Sequence, residues 1–373
     1  MRKEEIRGII VYMIMIVVAI IVGFTAVRNT LAEYGPTKMS DFGFIIIVLI
    51  VAYLVNAFGL ELLHVLGAAL GGYRVTSFNV LMLCLYKTES KWKLGLRDFN
   101  GICGETKIGP KKEKTNINMF CWVPVFGYAL EIAGCVIITS TINVHSTTLW
   151  LKSAAVIFIL ISSMIAFYNL VPFKLDAMTD GYRIRLFTKE VNVSAYNQML
   201  ELKEEQRLGK NTGKIPVFEE ITEFTAEINM LAMYQFLEEE NYEEASKIID
   251  KLLENKKVIN GNDCNRLIAQ KLYLAVLMQP IEEVKKLYDE ICPVEVRRFI
   301  ANDNSMQSIR AYILIAGMIE GSESEVAFAK SKVEKAKKRT LASQVKTEEK
   351  LLQKALDYVY ENHPKWDKEK AAE

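Results

Sequence analysis

Apolar residues fill long unbroken runs before about residue 172; after it they recur every three to four positions within charged sequence. About 20 consecutive apolar residues cross the hydrocarbon core of a bilayer. Four stretches meet that length. They are Gly8–Val27, Phe42–Gly72 with Glu61 and His64 inside it, roughly Met119–Ser140 with Glu131 inside it, and roughly Ala154–Pro172 without a charge. Backbone groups in lipid must bond internally, so each is predicted to be a helix. The first run exceeds a signal-peptide core, and Ala26-Val27-Arg28 is a poor cleavage site, so it is read as a retained helix.

Between the second and third runs the pattern changes. Tyr73–Tyr86 is rich in β-branched and aromatic residues, and Lys91–Leu96 is a second strand candidate. Gly101, Gly104 and Gly109 then break the chain and Pro110 ends the segment. A small hairpin or sheet at the membrane surface is expected.

Beyond Phe187 the periodicity predicts amphipathic helices over Glu219–Glu240, Tyr242–Glu254, Asp263–Met278, Ile281–Cys292, Ser305–Glu320 and Glu323–Arg339. The stretch Met233–Ile249 resembles a tetratricopeptide hairpin, although the periods are irregular. The fold class is thus mainly α: a polytopic membrane core of about four helices with a β-rich loop over residues 1–187, then a TPR-like helical domain over 188–373.

Charge sets the orientation. Arg74–Lys114 is rich in Lys and Arg, whereas Thr141–Thr148 has neither. The positive-inside rule makes the first cytoplasmic and the second external, which puts both termini in the cytoplasm of a multi-pass cell-membrane protein. The net charge of +1 gives no field for nucleic acid, and no basic stripe is interleaved with aromatics. The six cysteines are scattered without CxxC spacing, which argues against a disulfide framework. The run Lys330–Arg339 reads as the solvated face of a helix, with an anionic lipid or acidic partner as the lesser option.

Charged groups at membrane depth are costly and are functional candidates by default. On a helix, positions 60 and 64 share a face, and 61 lies beside them. A metalloprotease places histidines at i and i+4 on zinc, and a glutamate after the first to take a proton from bound water. Here Glu61 and His64 occupy the glutamate and second-histidine places, while Leu60 occupies the first. Gly67, Ala68 and Ala69 follow, then Gly71-Gly72-Tyr73-Arg74-Val75. At the end of the fourth run stands Asn169-Leu-Val-Pro172, followed by Asp176 and by Asp180-Gly181-Tyr182.

These two motifs, in this order around a β-rich loop, resemble the site-2-protease (M50) family of intramembrane zinc metalloproteases over roughly Phe42–Phe187. The resemblance implies that His64 and Asp180 are metal ligands and Glu61 the general base. It also implies a membrane-bound protein or peptide as substrate. Asp180 lies eight residues after the proline, where five is the commonest spacing; Asp176 is closer but lacks the following glycine. Leucine cannot ligate, and catalytic zinc takes three protein ligands plus water. His145 and His363 are badly placed, and Cys121, Cys135 or Asp176 would be a substitute ligand only by exception. The expectation is therefore a degenerate member, a pseudoprotease with weak or no zinc. It would bind a membrane segment or peptide, and a cytoplasmic partner through residues 188–373. The alternative is an active intramembrane zinc metalloprotease.

Overall fold

The computed structural model describes residues 39–87, 91–96, 104–110, 115–142, 149–172, 178–207, 213–340 and 342–366, with isolated positions before residue 39. Half of the expected first span, Gly8–Val27, falls outside the described residues; its described positions, among them Ile9–Val11 and Ile16–Val18, are helical. The chain divides into two compact units, Met1–Val193 and Ser194–Glu373.

In the first unit three helices are long and apolar enough to cross a membrane: α1 (Met39–Leu70), α2 (Ile117–Thr141) and α3 (Leu149–Leu170). At 1.5 Å per residue even the shortest exceeds the roughly 30 Å hydrocarbon core. Their burial is inverted relative to a water-soluble bundle. Ile47, Leu70, Phe126 and Leu130 project outward, whereas Asn56, Glu61 and His64 are buried. Polar groups inside and aliphatic groups outside are what a lipid solvent selects.

Close backbone approach joins the helices. A Cβ on Gly67 of α1 would lie 2.6 Å from the Met119 carbonyl oxygen, and one on Gly127 of α2 would lie 2.4 Å from a Leu63 methyl. Without a hydrophobic drive between helices in lipid, such small-residue contacts supply the packing. Tyr128 donates to the Asn56 carbonyl at 3.1 Å, and Ser162 of α3 donates to Glu131 of α2 at 2.7 Å. Glu131 is thereby tied to a neighbouring helix.

A four-stranded antiparallel sheet lies between α1 and α2 in sequence: β1 (Tyr73–Val80), β2 (Leu83–Lys87), β3 (Trp92–Leu96) and β4 (Gly104–Pro110), in the order β3-β2-β1-β4. Two expectations are corrected here. The run Tyr73–Tyr86 is two strands, joined by a two-residue turn in which Leu81 has φ 52°. The segment expected to be broken by glycines is the edge strand β4, paired with β1 from Tyr73↔Pro110 to Val80↔Gly104. A Cβ at Gly104 would sit 2.1 Å from the Asn79 carbonyl oxygen, so glycine serves close pairing there and not a chain break.

Register puts Phe78, Val80, Leu83, Leu85, Leu94 and Leu96 on one sheet face. Phe78 meets Phe58 of α1 edge-on at 5.6 Å, while Leu94 and Leu96 are 73% and 72% exposed. Leu94 and Leu96 thus stay uncovered on that face.

The first unit closes with α4 (Asp180–Leu186), and α5 (Glu190–Arg207) runs through the division. The second unit is all helical: α6 (Glu223–Glu238), α7 (Tyr242–Glu254), α8 (Gly261–Met278), α9 (Ile281–Ile291), α10 (Val294–Asn302), α11 (Met306–Leu314) with a π-turn over Ile315–Ile319, α12 (Glu323–Ser331), α13 (Val333–Lys337) and α14 (Ala342–Asn362). Helices α6 and α7 form a hairpin whose second member is capped by Asn241, accepting from the Glu244 amide. The periodicity reading did not single out α5, α10 or α14. Its last expected helix, Glu323–Arg339, is broken at Lys332.

Candidate functional site

Three buried ionisable residues, Glu61, His64 and Asp180, meet at the C-terminal third of α1. Glu61 and His64 are one turn apart on it, and both are buried. Asp180 comes from the first turn of α4, 116 positions away in sequence, and is 1% exposed. His64 Nε2 donates to Asp180 Oδ2 at 2.9 Å. The other ring nitrogen, Nδ1, faces Glu61 Oε2 at 3.5 Å without completing a hydrogen bond. The imidazole is stacked on Phe120 of α2, centroids 4.8 Å apart.

Local sequence explains how Asp180 arrives there. Thr179 caps α4, accepting from the Tyr182 amide, and its hydroxyl donates to the Val171 carbonyl at the end of α3 at 2.8 Å. Asn169 Nδ2 donates to Asp180 Oδ2 at 2.8 Å, so the asparagine before Pro172 orients the aspartate. A Cβ at Gly181 would fall 1.8 Å from the Leu170 carbonyl oxygen, so only glycine lets α4 start this close to α3. Arg183 Nη1 approaches Asp180 Oδ1 at 3.4 Å and lies over the Phe120 ring.

Glu61 is held from the sheet. Thr106 of β4 donates to Glu61 Oε2 at 2.6 Å. Thr106, Asn169, Arg183 and Phe120 thus complete the cluster. Arg183 stands three residues after Asp180 and Asn169 belongs to the quoted Asn-Pro motif, so spacing exposes both. Thr106 has no local signal, because only the β1–β4 pairing brings it to α1.

Leu60, one turn before His64 on α1, is 4% exposed and packed with Ala57, Tyr128 and Ile165. It offers no donor atom. Two atoms sharing a tetrahedral zinc at bonds of roughly 2.0–2.2 Å stand about 3.3 Å apart, so His64 Nε2 and Asp180 Oδ2 are close to a ligand-pair spacing. Glu61 cannot complete that pair, because it meets the opposite nitrogen of the ring. No group of three His, Cys, Asp or Glu side chains fit to hold a metal occurs among the described residues. The set therefore does not fit a three-ligand catalytic zinc. Asp176 and His145 lie outside the described residues. Cys121 is buried in α2 and Cys135 half-buried, and neither belongs to a ligand group. His363 stacks on Trp366 at 4.0 Å, in the second unit.

What the cluster can do by itself is hold an imidazole between two carboxylates, with one face of the ring stacked on Phe120 and its two nitrogens turned to Asp180 and Glu61. That is an arrangement for orienting polar groups beneath a sheet, within a bundle whose outer surface is apolar.

Comparison with protein-family models, with curated proteins and with solved structures gives no match for this chain.

Proposed function

We propose that this chain is a degenerate site-2-protease-like (M50-like) membrane protein. Its membrane core binds a transmembrane segment or peptide without cutting it, and its residues 188–373, read as a TPR-like array, engage a cytoplasmic partner. The carrying observation is the meeting of the two motifs at His64 Nε2–Asp180 Oδ2, 2.9 Å apart, beside a leucine where a third ligand belongs. The four-span arrangement with both termini cytoplasmic belongs to the same proposal. It rests on the Lys and Arg asymmetry and on the apolar outer surface of α1–α3.

In this reading Glu61, positioned by Thr106, is the counterpart of a general base that has no activated water to act on. His64 and Asp180 persist because each satisfies the other in a low-dielectric site, where an unpaired polar group is expensive. The test is zinc content per chain of the purified protein, with the natural sequence and with Leu60→His. The variant is expected to approach one zinc per chain, the natural protein well under one. Tight stoichiometric zinc in the natural protein, or cleavage of a membrane-anchored peptide that Glu61→Gln abolishes, would make it an active metalloprotease instead.

A further inference from the structure

Register sorts the side chains of the sheet onto two unlike faces. Phe78, Leu85 and Leu94 stand in one cross-strand row with Thr106, and Val80, Leu83 and Leu96 in the next. Ser77, Asn79, Cys84 and Glu105 stand on the opposite face. Contact with water would bury the first set and expose the second. Here Ser77, Asn79 and Cys84 are buried, while Leu83, Leu94 and Leu96 are exposed. This is the same inversion as in α1–α3, where aliphatic groups face outward and polar groups inward. A contiguous exposed apolar patch marks a surface that meets something other than water.

The place where this face begins says what it meets. Thr106 donates to Glu61, Phe78 lies edge-on against Phe58, and Val80 packs on the cluster of Ala57 and Leu60. The face is therefore seated on α1 along β4 and β1, and β2 and β3 carry it onward. Phe58 is itself exposed, in a stripe with Val51, Val55, Leu62 and Leu66 that recurs every three to four residues along one side of α1. Since α1 is long and apolar enough to cross a membrane, lipid covers that stripe when it does so. The stripe and the leucine rows adjoin at the Phe58–Phe78 contact, so lipid that wets the one reaches the other. In the row beyond Leu85 and Leu94, Lys87 pairs across strands with Trp92. A tryptophan and a long basic side chain are the groups that settle at the membrane–water boundary.

We infer that the leucine face of β2 and β3 is a lipid-docking surface, laid on the bilayer that α1 crosses. Leu83, Leu94 and Leu96 enter the upper acyl chains, and Trp92 and Lys87 stay among the headgroups. Strand β3 is outermost in the sheet among the described residues, and an open strand edge is not tolerated in hydrocarbon. The sheet therefore lies face-down in the interface, as an amphipathic helix does, with its backbone within reach of water. The inference rests on α1–α3 crossing a membrane, and not on the fate of the His64–Asp180 pair.

The test is nitroxide accessibility in the full chain, reconstituted in phosphatidylcholine vesicles. In a cysteine-free background, labels are placed by Leu94→Cys, by Leu96→Cys, by Val55→Cys on the α1 stripe and by Lys107→Cys on the opposite face of the sheet. Collision with oxygen, which concentrates in lipid, is compared with collision with a water-soluble nickel chelate. The oxygen-to-nickel ratio is expected to be several-fold higher at the two leucine positions and at Val55 than at Lys107. A second measure needs no cysteine removed: brominated lipid should quench the added emission of Leu94→Trp several-fold more than that of Lys107→Trp. Leucine positions as open to nickel as Lys107, with Val55 in lipid, overturn this inference alone. Nickel access at Val55 as well defeats the membrane-crossing reading and this inference with it. Leucine labels that meet neither reagent, and whose spin–spin broadening disappears on dilution with unlabelled chain, overturn it by assigning the face to a second copy.

Discussion

Asp180 and His64 meet because Gly181 has no side chain. Gly181→Ala forces a methyl group into the Leu170 carbonyl, so α4 must move and take Asp180 with it. An overpacking cost of about 1–3 kcal/mol is expected. It would be seen as a lower thermal midpoint in detergent, whereas Gly134→Ala, with nothing within 4 Å of the new Cβ, should leave the midpoint unchanged. Equal midpoints for the two variants would refute this account. In the second unit Glu320 carries a different residue-scale prediction. Burial pushes its carboxyl up, but Arg297 Nη2 at 2.8 Å and the Tyr288 hydroxyl at 2.7 Å more than offset this and hold it below the ordinary 4.5. A carboxyl lowered in the folded state contributes stability above its ordinary value, and that contribution is lost as the pH falls through the lowered one. Protection of α10 and α12 against hydrogen exchange, corrected for intrinsic rate, should therefore fall below about pH 4.5, and Glu320→Gln should flatten that dependence.

Among the elements, α1 was legible because a polar pair interrupts an apolar run, and the spacing of Glu61 and His64 is a helix spacing. The sheet was legible only in part. Leu81 turns the chain with a positive φ that leucine seldom adopts, so no Gly or Asn marks the hairpin. Strand β4 hides because its glycines serve pairing with β1, a contact some 30 residues distant. Thr106 shares that fate, and the Arg310–Glu348 pair was invisible for the same reason, being joined across 38 positions. Caps, by contrast, are local. Asn260 accepts from the Asp263 amide at 2.8 Å at the start of α8, and Asn260→Ala should cost about 1 kcal/mol there. Faster hydrogen exchange confined to the first turn of α8 is the expected signature, and unchanged exchange would count against the cap.

For the whole molecule the proposed topology sets a direction across the membrane. In a cysteine-free background, Lys107→Cys on β4 is expected to resist a membrane-impermeant thiol reagent in intact cells, and Thr141→Cys at the end of α2 to react. The opposite pattern would invert the proposed topology. The exposed leucines of β2 and β3 enter here too. If that sheet face touches lipid, Leu94→Asp with Leu96→Asp should leave the protein extractable from membranes yet lower its thermal midpoint in bilayers more than in detergent.

Leu60 has a consequence for how the buried pair is read. Its neighbours Ala57, Tyr128 and Ile165 close around a hydrocarbon side chain, so this stretch of α1 offers the pair no third donor. His64 and Asp180 serve assembly by themselves, since losing either strands the other in a buried site. Their pairing is a strut between two helices, and carries no information about whether a peptide bond is ever broken.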